Sequence, residues 1–512
     1  MSQHGTNQNG MGQHDEAIAA ALAAAHARGL YVIVRLQEVS ERRLTVVDGG
    51  IERQRSTRLS GIGVHAFTSG GAVGFASVDD VRPAAAAEAV QRAGALALAA
   101  QAAGARPSLA VYQLAAQGRV RVPAPECPAV PLSAPAASPA VSEELRTVIG
   151  AQEALAGLTV GDGRTLRSLH HVVDERWRIV RTDGTDVSFA APRAVLRHDV
   201  SGRLDGRAVR AAASVSGLDP SATLSAGALA RLARRVGRAA WVARVSAAPR
   251  PLPAGQPRIV LGHALAKGLA HEAIGHLCES DVDGSVLLRR GRLRLGERLA
   301  RDTVSVVDGP LPGGYVQQPF SANGIVRQTV RLVDGGVLAA GLGDLFSAEA
   351  AGVPITGACR ASSFRDRPTP RMTNIRIEMA DAVPLPPSVD PDDLSPDDVI
   401  AALDRLGLLE GGHPTLYLTG YRGGQAHPRR GDFVFGAEAA FDLKDGGAPL
   451  GPVSFTGLAE RALAAIVAGI GPLCTDAIGM CGKDGSSVTS SGGSHALLVL
   501  DPDPDLVVTA AP

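Results

Sequence analysis

A short run near the middle of the chain combines the residue types that metal-assisted hydrolysis requires. The run AHEAIGH covers residues 270–276 and contains His271, Glu272 and His276. Two neutral imidazoles can hold a zinc ion, and an adjacent carboxylate can take the proton from the water bound to that ion. In the common zinc-peptidase motif the histidines are four residues apart, because a helix of 3.6 residues per turn brings those side chains to one side. Here the spacing is five residues, and on an ideal α-helix the two side chains would diverge by roughly 140°.

This spacing leaves two interpretations open. In the first, the histidines occur together by coincidence, one packed in the interior and the other exposed. In the second, the helix widens locally to a π-bulge, whose i→i+5 hydrogen bond brings His271 and His276 to the same side. Gly275 stands immediately before the second histidine and would ease this distortion, at a cost of roughly 1 kcal/mol in helix propensity.

A catalytic zinc site needs a third protein ligand and keeps its fourth position for water. Cys278 and Glu279 follow the motif, but helical geometry points Cys278 away from the histidines, so we expect it to be a small core residue. Cys481 is the better candidate, because it lies in the glycine-flanked loop GMCGKDG (residues 479–485), where the backbone can approach an ion closely. Lys483 would favour its thiolate form. The alternative is that Cys481 is a buried thiol in a turn.

The surrounding sequence predicts an α+β fold, with an N-terminal antiparallel sheet and its helices followed by a β-rich C-terminal domain. Short strand-like segments separated by turn signals, such as Asp48-Gly49, favour antiparallel hairpins. The HE…H run falls in a predicted helix over about residues 264–277, after a short strand at residues 258–261. We divide the chain into a disordered head (1–14), an N-terminal α+β domain (15–248) with a Pro/Ala-rich connection at about 105–139, and a C-terminal β-rich domain (249–512).

The composition is that of a soluble globular protein, with 45% hydrophobic and 20% charged residues among 512. Because the formal net charge is zero, nothing in the overall balance favours nucleic acid or an anionic membrane as a partner. The polar start lacks the basic and apolar regions of a secretory signal, and no apolar stretch is suited to cross a bilayer, so we expect neither. The five cysteines are an odd number and widely scattered, which favours a reducing compartment, the cytoplasm.

Several segments together resemble the TldD/PmbA family, and specifically its TldD-type subunit, which carries an HExxxH metal motif. The resemblance in the N-terminal half is diffuse and lies in LTVVDGGIERQRSTRLSGIGVHAF (44–67) and GFAS (74–77). The C-terminal matches are more specific, because they occur in family order. They are the run 271–276 with Glu279 and Asp281 beyond it, PRMTN (370–374), GGQ (423–425), GDFVF (431–435) and CGKDG (481–485).

The resemblance implies a zinc ion bound by His271, His276 and Cys481, with Glu272 as the general base. It also implies that the C-terminal half is the metallopeptidase domain and that a PmbA/TldE-like partner subunit completes the protein. One departure concerns residues 363–366, which read SFRD where family members often carry a histidine-containing segment. This difference bears on substrate preference more than on metal binding.

The function that follows is zinc-dependent hydrolysis of peptide or related amide bonds, in unfolded or small peptides held by strand addition. One alternative is hydrolysis of an amide in a small or modified-peptide biosynthetic intermediate. A second is a non-catalytic modulator that binds other proteins, in which a structural zinc would have four protein ligands and no open position. The sequence carries no nucleophile elbow, phosphate-binding loop or dinucleotide fingerprint that would favour other chemistry.

Overall fold

The structure is a computed structural model, and it describes residues 6–105, 111 and 140–511, with side chains from residue 14 onward. Apart from residues 105 and 111, the predicted Pro/Ala-rich connection lies outside the described residues, and so does Cys127 within it. Residues 1–5 of the predicted head also lie outside them. No helix in the described part of the chain combines the length and apolar character that a membrane crossing requires.

Seven antiparallel strands form the N-terminal sheet, in the order β3-β2-β1-β4-β6-β7, with β5 paired to β4. The β1–β2 hairpin closes through Asp48 and Gly49, whose φ angles of 45° and 81° are those of a type I′ turn, as the turn signal predicts. The strands are β1 (Tyr31–Val47), β2 (Gly50–Phe67), β3 (Val73–Val78), β4 (Asp162–Arg181), β5 (Asp186–Ala190), β6 (Arg193–Leu204) and β7 (Arg207–Gly217).

Helices accompany this sheet. The first helix begins at Thr6, so residues 6–14, predicted as part of a disordered head, are helical. The physical reason is that the strong helix formers after Asp15 provide the nucleus, and extending an existing helix costs little per residue. The helices are α1 (Thr6–His26), α2 (Pro83–Ala102), α3 (Val141–Glu153), α4 (Pro220–Leu224) and α5 (Ala226–Val245). Fully buried alanines of α1 and α2, such as Ala21 and Ala93, pack with the valines of β1 and β2.

Twelve strands form the C-terminal sheet, in the order β13-β12-β11-β16-β22-β8-β17-β18-β19-β23, with β20 and β21 also paired to β22. The pairs β16–β22 and β8–β17 are parallel and the others antiparallel. The strands are β8 (Arg258–Gly262), β11 (Val304–Asp308), β12 (Val330–Asp334), β13 (Val337–Leu338), β16 (Asn374–Met379), β17 (Thr415–His427), β18 (Asp432–Asp442), β19 (Ala448–Leu458), β20 (Ile466–Cys474), β21 (Gly479–Lys483), β22 (Ser486–Leu500) and β23 (Leu506–Ala510); β9 (Leu288–Arg289) with β10 (Arg292–Leu293) and β14 (Cys359–Arg360) with β15 (Thr369–Pro370) form two small ladders. An antiparallel N-terminal sheet followed by a β-rich half confirms the predicted α+β class.

The segment that carries the histidines leaves the middle of this sheet, since β8 lies between β22 and β17. It continues as α6 (His263–Gly268), a π-helical turn (Leu269–Gly275) and a 3₁₀ turn (His276–Cys278). All seven residues of the π-helical turn are buried, which fixes their position against the sheet. The remaining described helices are α7 (Ala348–Ala351), α8 (Pro396–Asp404) and α9 (Ala459–Ala464).

Candidate metal centre

The π-helical turn brings the two histidines together. The backbone N–H of His276 donates to the carbonyl oxygen of His271, which is the i→i+5 bond that defines a π-helix. The two imidazole rings lie with their centroids 4.9 Å apart and their planes at 89°. The predicted local widening of the helix is therefore confirmed, and it removes the divergence that an ideal α-helix would impose.

Gly275 serves a different purpose from the predicted one. Its backbone has ordinary helical angles, φ −53° and ψ −55°, so the π-helical turn does not use the conformational freedom of glycine. Instead, a Cβ at this position would lie 1.8 Å from Sδ of Met372 and 2.9 Å from Cδ1 of Ile375. The glycine is required because the motif helix packs directly onto the strand that follows the PRMTN segment.

Cys481 lies beside the histidines. Its Sγ is 3.4 Å from Nε2 of His276, and one donor atom each of His271, His276 and Cys481 lie within 4.8 Å of one another. The flanking glycines predict a loop around Cys481, but in the structure it belongs to strand β21 and pairs with Val488 of β22. The turn is at Asp484 and Gly485, both with positive φ, because the ladder continues to Lys483 before the chain reverses.

Glu272 lies on the same side of the helix as the donors. Its Oε2 is 3.9 Å from Nε2 of His276, and only 9% of the residue is exposed. Burial raises the pKa of this carboxyl above its ordinary value. A carboxylate at this distance from Nε2 of His276 is placed to accept a proton from a group that would lie between the donor atoms.

A network of charged side chains orients the ring of His276 through its Nδ1 atom. Its Nδ1 lies 3.1 Å from Oε2 of Glu279, a carboxylate that can only accept, so Nδ1 carries the proton of this bond and Nε2 faces the Sγ of Cys481. Lys483 donates to the same carboxylate at 2.9 Å and also to Asp281. The prediction that Lys483 favours the thiolate of Cys481 is therefore wrong. The ammonium group of Lys483 binds the carboxylates of Glu279 and Asp281 and not the thiol.

The thiol is activated by other neighbours. Burial by itself would raise the pKa of Cys481, but hydrogen bonding to His276, the charge of that ring and the charge of Arg371 together lower it. Arg371 also donates to the carbonyl oxygen of Cys481, which holds β21 in place. Cys278 is fully buried in the apolar core, as predicted, and burial raises the pKa of its thiol to about 12.

Sequence reasoning missed Lys267. It precedes His271 by four residues, which is the spacing that places two side chains on one helix face, and this was the available signal. Its Nζ donates to Oγ of Ser490 at 2.8 Å, and burial lowers its pKa to about 8. A buried amine therefore lies between the motif helix and the hairpin that carries Cys481.

The donor set fits a zinc ion. Two imidazole nitrogens and one thiolate are typical zinc ligands, and three protein ligands leave a fourth position open, as in catalytic sites. Nδ1 of His271 is buried without a hydrogen-bond partner in the structure. A buried polar nitrogen without a partner costs folding free energy, and a bond from the ring to a metal ion or another group would offset that cost. Among the described residues, this trio is the cluster of histidine, cysteine and acidic side chains that is placed to hold a metal.

An α+β fold that places donor atoms of two histidines and one cysteine within 4.8 Å of one another is the arrangement expected of a metalloprotein. Residues 254–476 match the family model described as PmbA/TldA metallopeptidase C-terminal domain, and residues 32–97 match its domain 1. The chain belongs to this PmbA/TldD family. The matched residues include His271 and His276 but end before Cys481.

Curated relatives carry related names. A protein of Methanothermobacter thermautotrophicus named Metalloprotease is 33% identical over 250 residues, which is 48% of this chain and 49% of the relative. A protein of Haemophilus influenzae named Metalloprotease TldD homolog is 28% identical over 253 residues (48% of each). One of Saccharolobus solfataricus named Zinc metalloprotease TldD homolog is 26% identical over 249 residues (47% and 50%). The matched part of the chain thus spans about half the length of these relatives.

Solved structures share the fold. TldE from Thermococcus kodakarensis superposes with a TM-score of 0.65 at 15% identity, over 94% of this chain and 97% of that one. A protein of Thermotoga maritima, titled a putative modulator of a DNA gyrase, gives 0.66 at 16%, over 96% and 99%. At these identities the likeness establishes the fold alone.

Proposed function

We propose that this chain is a zinc-dependent peptidase of the TldD type, with His271, His276 and Cys481 as zinc ligands and Glu272 as general base. The observation that carries this proposal is the convergence of the three donor atoms within 4.8 Å, with the buried carboxylate of Glu272 3.9 Å from one of them. The naming of several relatives as metalloproteases supports the same reaction class.

Each residue has a distinct task in this proposal. A bound zinc ion would polarise the carbonyl of the scissile bond and acidify a water. Glu272 would act as the general base that accepts the proton of the attacking water and passes it to the leaving nitrogen, and its raised pKa brings the carboxyl closer to the neutral range in which general bases are effective. Glu279 fixes the tautomer of His276, and Arg371 fixes the backbone of Cys481.

The substrates in this proposal are unfolded or small peptides, and the active form contains a PmbA/TldE-like partner subunit. The shared fold with TldE supports a partnership of related chains. We further propose a cytoplasmic location, in line with the four described cysteines, which are all free thiols. The alternative substrate is an amide in a small molecule or a modified peptide. Comparing the rate at which the chain cleaves peptides with the rate at which it cleaves such amides separates the two.

A non-catalytic modulator is the alternative that the gyrase-modulator titles raise. A closed structural zinc site has four protein ligands, whereas the cluster in the described residues offers three. This count favours the catalytic proposal, because it leaves room for water and substrate.

Two measurements test the proposal. Zinc content of the purified chain should be about one ion per chain for the parent and for Glu272→Gln, and should fall strongly in Cys481→Ser. Cleavage of an unstructured peptide, with the partner chain present, should fall by about two to four orders of magnitude in Glu272→Gln. Undiminished cleavage by Glu272→Gln, or full zinc content in Cys481→Ser, would overturn the respective assignment.

A further inference from the structure

A pocket lies between the N-terminal sheet and the β21–β22 hairpin. Trp177 and Phe189 line it from the sheet, and Met480 and Thr489 line it from the hairpin. Met480 is the residue before Cys481, and successive side chains of a strand point to opposite faces. The hairpin therefore carries Cys481 towards the histidines on one face and Met480 towards the pocket on the other.

The walls of this pocket mix aromatic residues with polar and small apolar ones. Trp177, Phe189 and Tyr315 are its aromatic residues, and Nε1 of Trp177 donates to Glu175 at 2.7 Å, so the polar atom of the indole is satisfied within the wall. Met480 is 64% exposed, and an exposed methionine is an adaptable apolar contact surface. The three aromatic residues offer stacking contacts to a ring, and the polar residues beside them suit a ligand that also carries a polar group.

The pocket also has a net positive charge. Two guanidinium groups, of Arg193 and Arg360, and one carboxylate, of Glu175, line it. Arg193 pairs with Glu175, whereas Arg360 has no ion-pair partner among the described residues. Arg360 is 8% exposed.

Arg360 bonds only to neutral groups. It donates to Oε1 of Gln318 at 2.6 Å, to the carbonyl oxygen of Met372 at 2.8 Å and to Thr489. None of the carboxylates among the described residues forms an ion pair with it. A buried cation without an anion is costly, and an anionic ligand would relieve that cost. Burial, together with the charge of Arg371, lowers the pKa of this guanidinium to about 9, although the charges of Cys481, Asp308 and Glu175 act in the opposite direction.

We propose that this pocket binds an aromatic residue with a free carboxylate, as at the C-terminus of a peptide, with the ring beside Trp177 and the carboxylate near Arg360. The inference rests on the proposed peptidase function and deepens it, since it names the part of a substrate that is held across the β21–β22 hairpin from the metal centre. An aromatic ring supplies the contact area, and the carboxylate supplies the ion-pair partner that Arg360 lacks among the described residues.

Intrinsic fluorescence tests this directly. The chain has two tryptophans, and Trp241 packs against Phe441 elsewhere, so in a Trp241→Phe chain Trp177 is the only indole reporter. N-acetyl-L-phenylalanine should change its emission saturably. N-acetyl-L-phenylalaninamide, which lacks the charge, and N-acetyl-L-alanine, which lacks the ring, should each bind at least tenfold more weakly. No saturable change, or equal binding of the acid and the amide, would overturn the proposal.

Two matched substitutions locate the binding. Ala191 lines the pocket, so Ala191→Phe should fill it and weaken binding of N-acetyl-L-phenylalanine at least tenfold. Ser188→Phe adds the same group at an exposed position of β5 and should leave binding within twofold. Equal effects of both, with unchanged circular dichroism, would place the probe elsewhere and reject the pocket.

The titration is carried out on the full chain with and without chelator, so it requires no turnover. A chain that binds the probe but cleaves no peptide keeps the pocket and rejects the peptidase proposal. A chain that cleaves peptides but does not bind the probe rejects the pocket alone.

Discussion

Gly275 packs against Met372 so closely that a single added methyl group would overlap the sulfur atom, at 1.8 Å. This contact joins the motif helix to the strand that begins at Asn374. The position of His276, the next residue along the chain, therefore depends on a contact made 97 residues away in sequence, between 275 and 372.

The first prediction concerns this contact. Gly275→Ala should destabilise the fold by about 1–3 kcal/mol, because overpacking forces a well-packed core to shift, and should lower zinc content since His276 moves with it. Urea unfolding and metal analysis measure the two effects. Gly237→Ala is the matched control: Gly237 is also helical, but its Cβ would meet nothing within 4 Å, so this change should stabilise by about 0.4–1 kcal/mol. If Gly275→Ala leaves the free energy of unfolding unchanged, the residues around Met372 accommodate the added methyl group without strain.

The second prediction concerns the carboxylate of Glu279, which contacts Nδ1 of His276. Glu279→Gln keeps the shape of the side chain but removes the charge that accepts from Nδ1 of His276. Partners of this kind typically contribute 10–100-fold to metal affinity, so zinc should bind about 10–100-fold more weakly in competition with a fluorescent chelator. Glu349→Gln, at an exposed position of α7, should have no effect. Unchanged affinity of Glu279→Gln would show that the orientation of the ring is fixed by packing alone.

The third prediction concerns metal removal. A ligand that binds only the folded state stabilises it by about 2.7 kcal/mol at 100 times its Kd, so a chelator should lower the thermal unfolding midpoint of the parent chain. Glu272→Gln should respond in the same way, because the three donors remain. Cys481→Ser should respond much less. An equal response of all three chains would mean that the stabilising metal lies at another site.

The fourth prediction concerns pH and a histidine remote from the metal centre. His198 is 1% exposed and its Nδ1 lies 2.7 Å from Oγ of Ser168; burial lowers its pKa to about 4, against about 6.5 in the unfolded chain. Between these values the unfolded chain binds a proton that the folded chain does not, so the free energy of unfolding falls as the pH decreases. The loss from this residue should be about 2 kcal/mol between pH 7 and pH 5.

Denaturant titrations at the two pH values measure this loss. His198→Asn retains an acceptor for Ser168 and should reduce the pH-dependent loss by about 2 kcal/mol relative to the parent chain. His413→Asn removes an exposed histidine and should leave the loss nearly unchanged. If His198→Asn shows the same pH dependence as the parent, His198 accepts its proton within the fold.

Local features of the fold follow from the residues that form them. The hairpin turn at Asp48 and Gly49 was predictable, because a type I′ turn requires positive φ at both positions and these residues tolerate it. The start of α1 was not, since Thr6 and its neighbours are weak helix formers that extend a nucleus built later in the chain. Chain order alone also could not give the strand order of the large sheet, in which β8 lies between β22 and β17.

The candidate metal centre also has some features that the sequence predicts and others that only the tertiary structure shows. The sequence determined that His271, Glu272 and His276 stand on one short segment, and that a π-helical turn would be needed to bring the two histidines to one side, because both facts depend only on local helical geometry; the structure then decided between that turn and a coincidental pair. Tertiary structure decided that Cys481, 205 residues after His276, lies 3.4 Å from it. It also decided that Lys483 turns to Glu279 instead of the thiol. Contacts between distant segments depend on how the whole sheet assembles, and no local pattern of residues encodes that.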